Sequence, residues 1–314
     1  MDMHRQDSLV SSRFRRVLTP SSPDYCVDLT ADSEGDIHSG RQHSISLNTP
    51  QGTTHSPQCS PDGYSGSLNR LLEQPVPVYA QSDAVFRACL HLQKYLIEPI
   101  PRQVGADMHP AEIHATHCLC SGEVKWADLL CIAQQLPHSK KPRFPQFEST
   151  GELPPVSFTT GACARGPNVG ITRNMKDFPR VTQVLAMVIH AIDPEHRFSS
   201  CSLTLNVGAS AHRDSHNARG SYNLLVPCSM FQGGGLWLQN DRGSVQLEPG
   251  GPFGSVMDVA SPIRFRPLQQ HATMPWHGNR LVLVAFHARH LSNLPVEDLV
   301  DLADCGFSLD PGLD

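Results

Sequence analysis

No stretch of this 314-residue chain holds enough consecutive apolar residues to cross a bilayer, so no membrane association is expected. The first sixteen residues carry arginines but no apolar core segment, so no secretory leader is expected there. Ten cysteines without such a leader read as reduced thiols, and the compartment as cytosol or nucleus. The chain also lacks a recognisable DNA-binding module and an overall positive charge, its formal net charge being −5. That balance does not exclude a nucleic acid, because the charge is uneven. Residues 138–291 hold 15 basic and 9 acidic residues, whereas 292–314 hold 0 and 6. Local charge governs phosphate binding, although an excess of this size is also ordinary surface variation.

What is present divides the chain into four parts. Residues 1–75 are rich in Ser, Pro, Gly, Asp and His and show no apolar period. They read as a disordered region whose five Ser/Thr-Pro pairs need no function. Residues 76–154 read as a helical lead-in. Ala84, Val85, Ala88, Leu92 and Leu96 give a helix over 82–97, and a second is expected from Val124 to Leu136. Between them His114, His117, Cys118 and Cys120 can supply part of a structural zinc site, against a plainer reading of packing and surface chemistry. Lys140-Lys141-Pro142-Arg143 is a basic turn or a short nuclear-import signal. The third part, 155–293, is expected to be the catalytic domain, and 294–314 an acidic tail with one short helix at 296–303.

Within 155–293 a helix is marked by Val181, Val184, Leu185, Val188 and Ile189. Short strands follow at 200–207, 221–227, 235–239, 244–248, 254–259, 262–266 and 280–287, several separated by Gly or Pro clusters. Many short strands of this kind predict an α+β protein, with a jelly-roll or cupin-like core and flanking helices. His212 and Asp214 lie two apart just after the first of these strands. In extended chain, residues i and i+2 face the same way, so an imidazole and a carboxylate converge. Two histidines and one carboxylate hold non-haem Fe(II) while leaving positions open. The third ligand is expected to be His271, which lies 57 residues past Asp214, room enough for intervening strands. His216 and His277 are rivals. Arg280, opening the run Leu281–Phe286, can fork the carboxylate of a dicarboxylic cosubstrate or pair with a surface acid.

The order His-x-Asp, His, Arg resembles the 2-oxoglutarate/Fe(II) dioxygenases. The fuller strings His212-Arg213-Asp214-Ser215-His216-Asn217 and His271-Ala272-Thr273-Met274-Pro275, with Arg280, are similar to the TET/J-binding-protein branch. That resemblance spans roughly 155–293 and implies a double-stranded β-helix. It implies Fe(II) on His212, Asp214 and His271, and 2-oxoglutarate on Arg280. It further implies hydroxylation of the methyl group of methylcytosine or thymine in nucleic acid, DNA ahead of RNA, in the nucleus. His216 becomes a residue beside the metal site or the substrate. Asn217 becomes a hydrogen-bonding partner of a flipped base, against an Asx-turn cap. Val282 departs from the pattern, since many relatives have a hydroxyl there. Two other functions stay open: a hydroxylase of a protein side chain or small metabolite, and a non-catalytic binding module on the same fold, against which the complete triad argues.

Overall fold

The structure, a computed structural model, describes residues 89–92, 108–137 and 151–313. The 1–75 region and the 140–143 turn lie outside these residues. The described chain is mixed α/β with mostly antiparallel sheets. Its elements in order are β1 (Cys89–His91), α1 (Pro110–Ser121), β2 (Glu123–Lys125), α2 (Trp126–Gln135), β3 (Val156–Arg165) and β4 (Asn168–Ile171). Then come α3 (Arg173–Asp177), α4 (Pro179–Ile192), β5 (Ser200–Leu205), β6 (Asn223–Pro227), β7 (Gln232–Gly233), β8 (Leu236–Gln239) and β9 (Val245–Gln246). The last are β10 (Phe253–Met257), β11 (Ile263–Phe265), β12 (His271–Thr273), β13 (Trp276–His277), β14 (Leu281–Phe286) and α5 (Val296–Asp304).

Two larger sheets, beside the two-stranded pairs β1-β2 and β13-β7, form the core of the described residues. One has six strands in the order β11-β6-β14-β5-β3-β4, and the other has four in the order β12-β8-β10-β9. The chain passes back and forth between them: β6 lies in the first, β8 and β10 in the second, β11 in the first, β12 in the second, β14 in the first. Strand alternation sorts the side chains of the six-stranded sheet into two layers. Leu281, Leu283 and Ala285 of β14, with Leu224 and Val226 of β6 and Leu203 and Leu205 of β5, pack on the helices. Val282 and Val284, with Leu225, instead meet Leu236 and Leu238 of the four-stranded sheet. The two sheets therefore face each other across a thin apolar layer, and residues of even number on β14 look into it.

The helical side is anchored by α4. Its Val181, Val184, Leu185, Val188 and Ile189 are fully buried, as their spacing predicts. Helix α4 begins at Pro179, which suits a first turn whose N–H groups lack intrahelical partners. Its N-cap residue, Phe178, offers no side-chain bond. Glu112 of α1 serves instead: its carboxylate accepts from Arg180 N (3.0 Å) and Val181 N (2.8 Å). Burial pushes the Glu112 carboxyl up, against those two backbone hydrogen bonds and the Arg180 charge, which lower it.

One expectation needs correction. Residues 89–91 are not helical; they form β1, paired with β2 with Leu90 opposite Val124. The His114–Cys120 segment lies on α1, entered at Pro110 and closed by Gly122 in the left-handed conformation. The Gly-rich stretch from Thr159 lies on β3 and β4, and β3 pairs with β5 over six registered positions.

Candidate metal centre

His212 and His271 are brought side by side by the backbone itself. His212 N donates to His271 O at 3.0 Å and His271 N to His212 O at 2.9 Å, an antiparallel bridge between the segment before β6 and strand β12. Residues directly opposite in such a pair put their side chains on the same face, and the two ring centroids lie 4.2 Å apart. Asp214, two residues on, completes the group: one ligand atom from each of the three falls within 4.8 Å of the others.

The rings are oriented from behind. His212 Nδ1 lies 2.8 Å from Ser210 O and His271 Nδ1 lies 2.8 Å from Gln269 O. A carbonyl only accepts, so each Nδ1 carries a proton, and in the neutral ring Nε2 is the lone pair free to bind a metal. Both Nε2 atoms face the carboxylate, His212 at 3.4 Å from Oδ1 and His271 at 3.5 Å from Oδ2. This is the outer-shell arrangement that fixes imidazole ligands in metal sites. Burial favours the neutral Asp214 carboxyl, but hydrogen bonds and charge from the two rings, when their Nε2 atoms are protonated, hold it well below the usual carboxylate range. Two neutral-capable imidazoles and an ionised carboxylate are the donor set that divalent iron takes. Phe265 closes one flank, 4.8 Å edge-on from His271.

Arg280 lies at the far end of the same layer. Beside His271 on β8 is Leu238, and four residues of largely extended chain back from it, on the order of 10 Å, is Gly234. The Arg280 side chain rests on Gly234, with Nε 3.3 Å from Gly234 O. Gly234 has φ +65°, and a Cβ there would meet Arg280 Nε and Phe231 at 2.9 Å, so only glycine admits the arginine. Phe231 and Trp276 flank the guanidinium at 5.3 and 5.7 Å. The backbone of Arg280 is fixed by Asn206, whose Oδ1 accepts its N–H at 2.8 Å and whose amide holds Leu153 O and Asn279 Oδ1. Arg280 is only 2% exposed, and no carboxylate pairs with it among the described residues. Burial alone pulls its guanidinium down to about 10. A buried cation without an acid partner can hold an anion.

The remaining sequence candidates fall around this axis. His277 is exposed on β13, paired with Gln232, and is not part of the ligand group. His216 stands to the side, with Nδ1 3.4 Å from an Arg289 nitrogen. Asn217 is buried, and its amide donates to Asn223 Oδ1 at 3.0 Å. Asn223 in turn donates to Asp214 Oδ2 at 2.7 Å. Sequence reading missed Asn223, Asn206 and the Phe231–Trp276 cage. Only Asn223 left a trace, as an amide opening the apolar run Leu224-Leu225-Val226.

Of the cluster considered for zinc, His114 and Cys118 meet Asp128 of α2, while His117 and Cys120 are exposed. Asp128 already holds His114 Nε2 at 3.1 Å and caps α2 through Lys125 N at 2.8 Å. Those contacts describe a helix–helix tie, one ligand short of the four that structural zinc takes, so the zinc expectation finds no support.

No protein-family model matches the chain, and no curated protein matches it. Among solved structures it is similar to an oxidoreductase of the 2OG-Fe(II) oxygenase family from Burkholderia pseudomallei. The identity is 13% and the TM-score 0.32, over 60% of this chain and 94% of that one. It is similar also to IDO from Bacillus thuringiensis, with 11% identity and a TM-score of 0.25 over 43% and 75% of the two chains. The ribosomal oxygenase YcfD from Escherichia coli gives 8% and 0.24 over 47% and 53%.

Proposed function

We propose that the chain is an Fe(II)/2-oxoglutarate-dependent dioxygenase on a double-stranded β-helix, of the TET/J-binding-protein kind, that hydroxylates the methyl group of a modified pyrimidine in nucleic acid. The observation that carries this reading is the pairing of two features in one inter-sheet layer: a three-ligand group at one end and a buried, acid-free arginine at the other. The passage of the chain between the two sheets supports the fold. His212, Asp214 and His271 would hold the metal, and Arg280 the distal carboxylate of 2-oxoglutarate. When bound, the iron supplies dioxygen activation, by which one oxygen atom goes to succinate as carbon dioxide leaves and the other to the methyl carbon.

The protein's own part is positional. The Nδ1 bonds of His212 and His271 aim their lone pairs, and Leu225, Leu236, Leu238 and Val282 keep the layer between metal and arginine apolar. Excluding water there strengthens the Arg280 contact. Val282 supplies no hydroxyl to the distal carboxylate, so the ion pair carries that end. The basic excess of 138–291 supports a nucleic-acid partner, DNA ahead of RNA, and a nuclear site of action. The acidic run on α5, with Glu297, Asp298, Asp301 and Asp304, instead favours the second reading, a protein side chain or small metabolite as substrate. Incubation of methylated DNA and RNA with the protein, Fe(II) and 2-oxoglutarate separates them. Oxidised nucleosides by mass spectrometry support the first reading, and succinate production without any oxidised base supports the second. Absence of Fe(II)-dependent succinate under both conditions removes the dioxygenase reading.

A further inference from the structure

We propose that Asn223, buttressed by Asn217, is a positioning residue that fixes the Asp214 carboxylate for metal binding, an inference that rests on the metal-centre reading above. Asp214 Oδ1 faces His212 and Oδ2 faces His271, and only Oδ2 has an amide partner, Asn223 Nδ2 at 2.7 Å. That bond sets which way the carboxylate turns about its own axis, a freedom the backbone leaves open.

The relay has a fixed polarity. An ionised carboxylate accepts only, so the NH2 of Asn223 must face Asp214 and its Oδ1 must face away. That oxygen then needs a donor, which is the NH2 of Asn217 at 3.0 Å. Asn223 is 1% exposed and Asn217 7%, so water does not replace either bond cheaply. Both ends are anchored. Asn223 opens β6 on the face it shares with Leu225, opposite Phe265 of β11. Asn217 N donates to Asp214 O at 3.0 Å, while Ala218 N and Arg289 N tie the same loop to the chain leaving β14. The ligand loop, β6 and β14 thus meet at one carboxylate.

This relay occupies the Asn217 amide, and a substitution there acts first on the metal end. Outer-shell partners of metal ligands are worth about 10–100-fold in metal affinity. Titration of the full chain with Co(II), followed by its visible absorption, is the test. Asn223→Leu, close in shape but without a donor, is expected to weaken Co(II) binding by at least about tenfold and to alter the band at saturation. At saturating metal the 2-oxoglutarate affinity should stay as in the unsubstituted chain, because Arg280 is untouched; a general loss of structure would lower it too. Asn217→Ala removes only the outer bond and should weaken Co(II) severalfold, which decides the matter if Asn223→Leu does not fold. Co(II) affinity within twofold of the unsubstituted chain in a folded Asn223→Leu, or in Asn217→Ala where Asn223→Leu does not fold, overturns the relay alone. A native chain that binds no divalent metal overturns both the relay and the metal-centre reading.

Discussion

Replacing Arg280 by Met should change the stability of the empty protein only modestly, while crippling its use of 2-oxoglutarate. The first half follows from the cost of the buried charge. Burial lowers the guanidinium from its ordinary value to about 10, which at 1.36 kcal/mol per unit is about 3 kcal/mol against the charged form. Three contacts offset this: one long hydrogen bond to Gly234 O and two aromatic neighbours, each of the latter worth about 0.5–2 kcal/mol. With about 0.5–1.5 kcal/mol for the hydrogen bond, the net change on substitution therefore lies between about −2.5 and +1.5 kcal/mol. For a domain of this size each kcal/mol moves the melting temperature by about 2–4 °C. The second half follows from the anion. A carboxylate forked by Arg280 loses two charge-assisted bonds worth about 1.5–3 kcal/mol each, which weakens cosubstrate binding by roughly 10²–10⁴. Differential scanning fluorimetry without ligand and calorimetric titration of 2-oxoglutarate onto the Co(II)-loaded protein read the two quantities. Unaltered cosubstrate affinity would refute the reasoning and make Arg280 a structural residue of the inter-sheet layer.

His212→Ala, Asp214→Ala and His271→Ala should each abolish Fe(II)-dependent turnover and stoichiometric Co(II) binding with little change in circular dichroism, whereas His277→Ala should keep both; the reverse result at 271 and 277 would move the distal ligand. Glu112→Ala strips two buried N–H groups of α4 of their acceptor and should cost about 1–3 kcal/mol in urea denaturation, a loss that an unchanged midpoint would deny. His196 is 4% exposed, and burial lowers its imidazole to about 4. Because the folded value lies below the unfolded value of about 6.5, its stabilising contribution of about 3 kcal/mol is complete above pH 6.5 and lost as pH falls to 4. Stability measured from pH 7 to 4.5 should therefore drop less in His196→Phe than in the unsubstituted chain, and parallel curves would remove His196 from the acid response.

The parts of the fold that were legible are those where periodicity and burial agree. Helix α4 is buried along most of its length and β14 alternates between two apolar layers, so both announced themselves. Strand β3 did not, because it is built of Ser, Thr, Gly, Ala and Cys, small residues that a Gly-rich loop also uses. Thr159 and Ser202 bond across β3 and β5 at 3.0 Å, a contact that only the register reveals. Helix α1 was hidden by its buried Glu112 and Thr116, which blur an apolar stripe. Around 89–91 the apolar spacing of a short segment fits helix and strand alike, and pairing with β2 decided it. At the site, the ligands were readable because i and i+2 on extended chain is a local relation. Asn223 and Asn206 were not, since each acts on a residue whose proximity depends on sheet order.

The same alternation that hides these residues also explains how the site keeps its shape. Arg280 precedes Leu281, and Asn223 precedes Leu224, and both leucines are locked in the helix-side core. Each polar group is therefore aimed into the inter-sheet layer by an apolar neighbour pointing the opposite way. The helices pack on one face of the six-stranded sheet, and alternation along β5, β6 and β14 then directs the intervening side chains to the other face. A site assembled in this way needs few direct supports. Its geometry is inherited from the apolar core of α4, β5 and β14, and the Asn217–Asn223 relay supplies the one orientation which that core cannot, the turn of a carboxylate about its own bond.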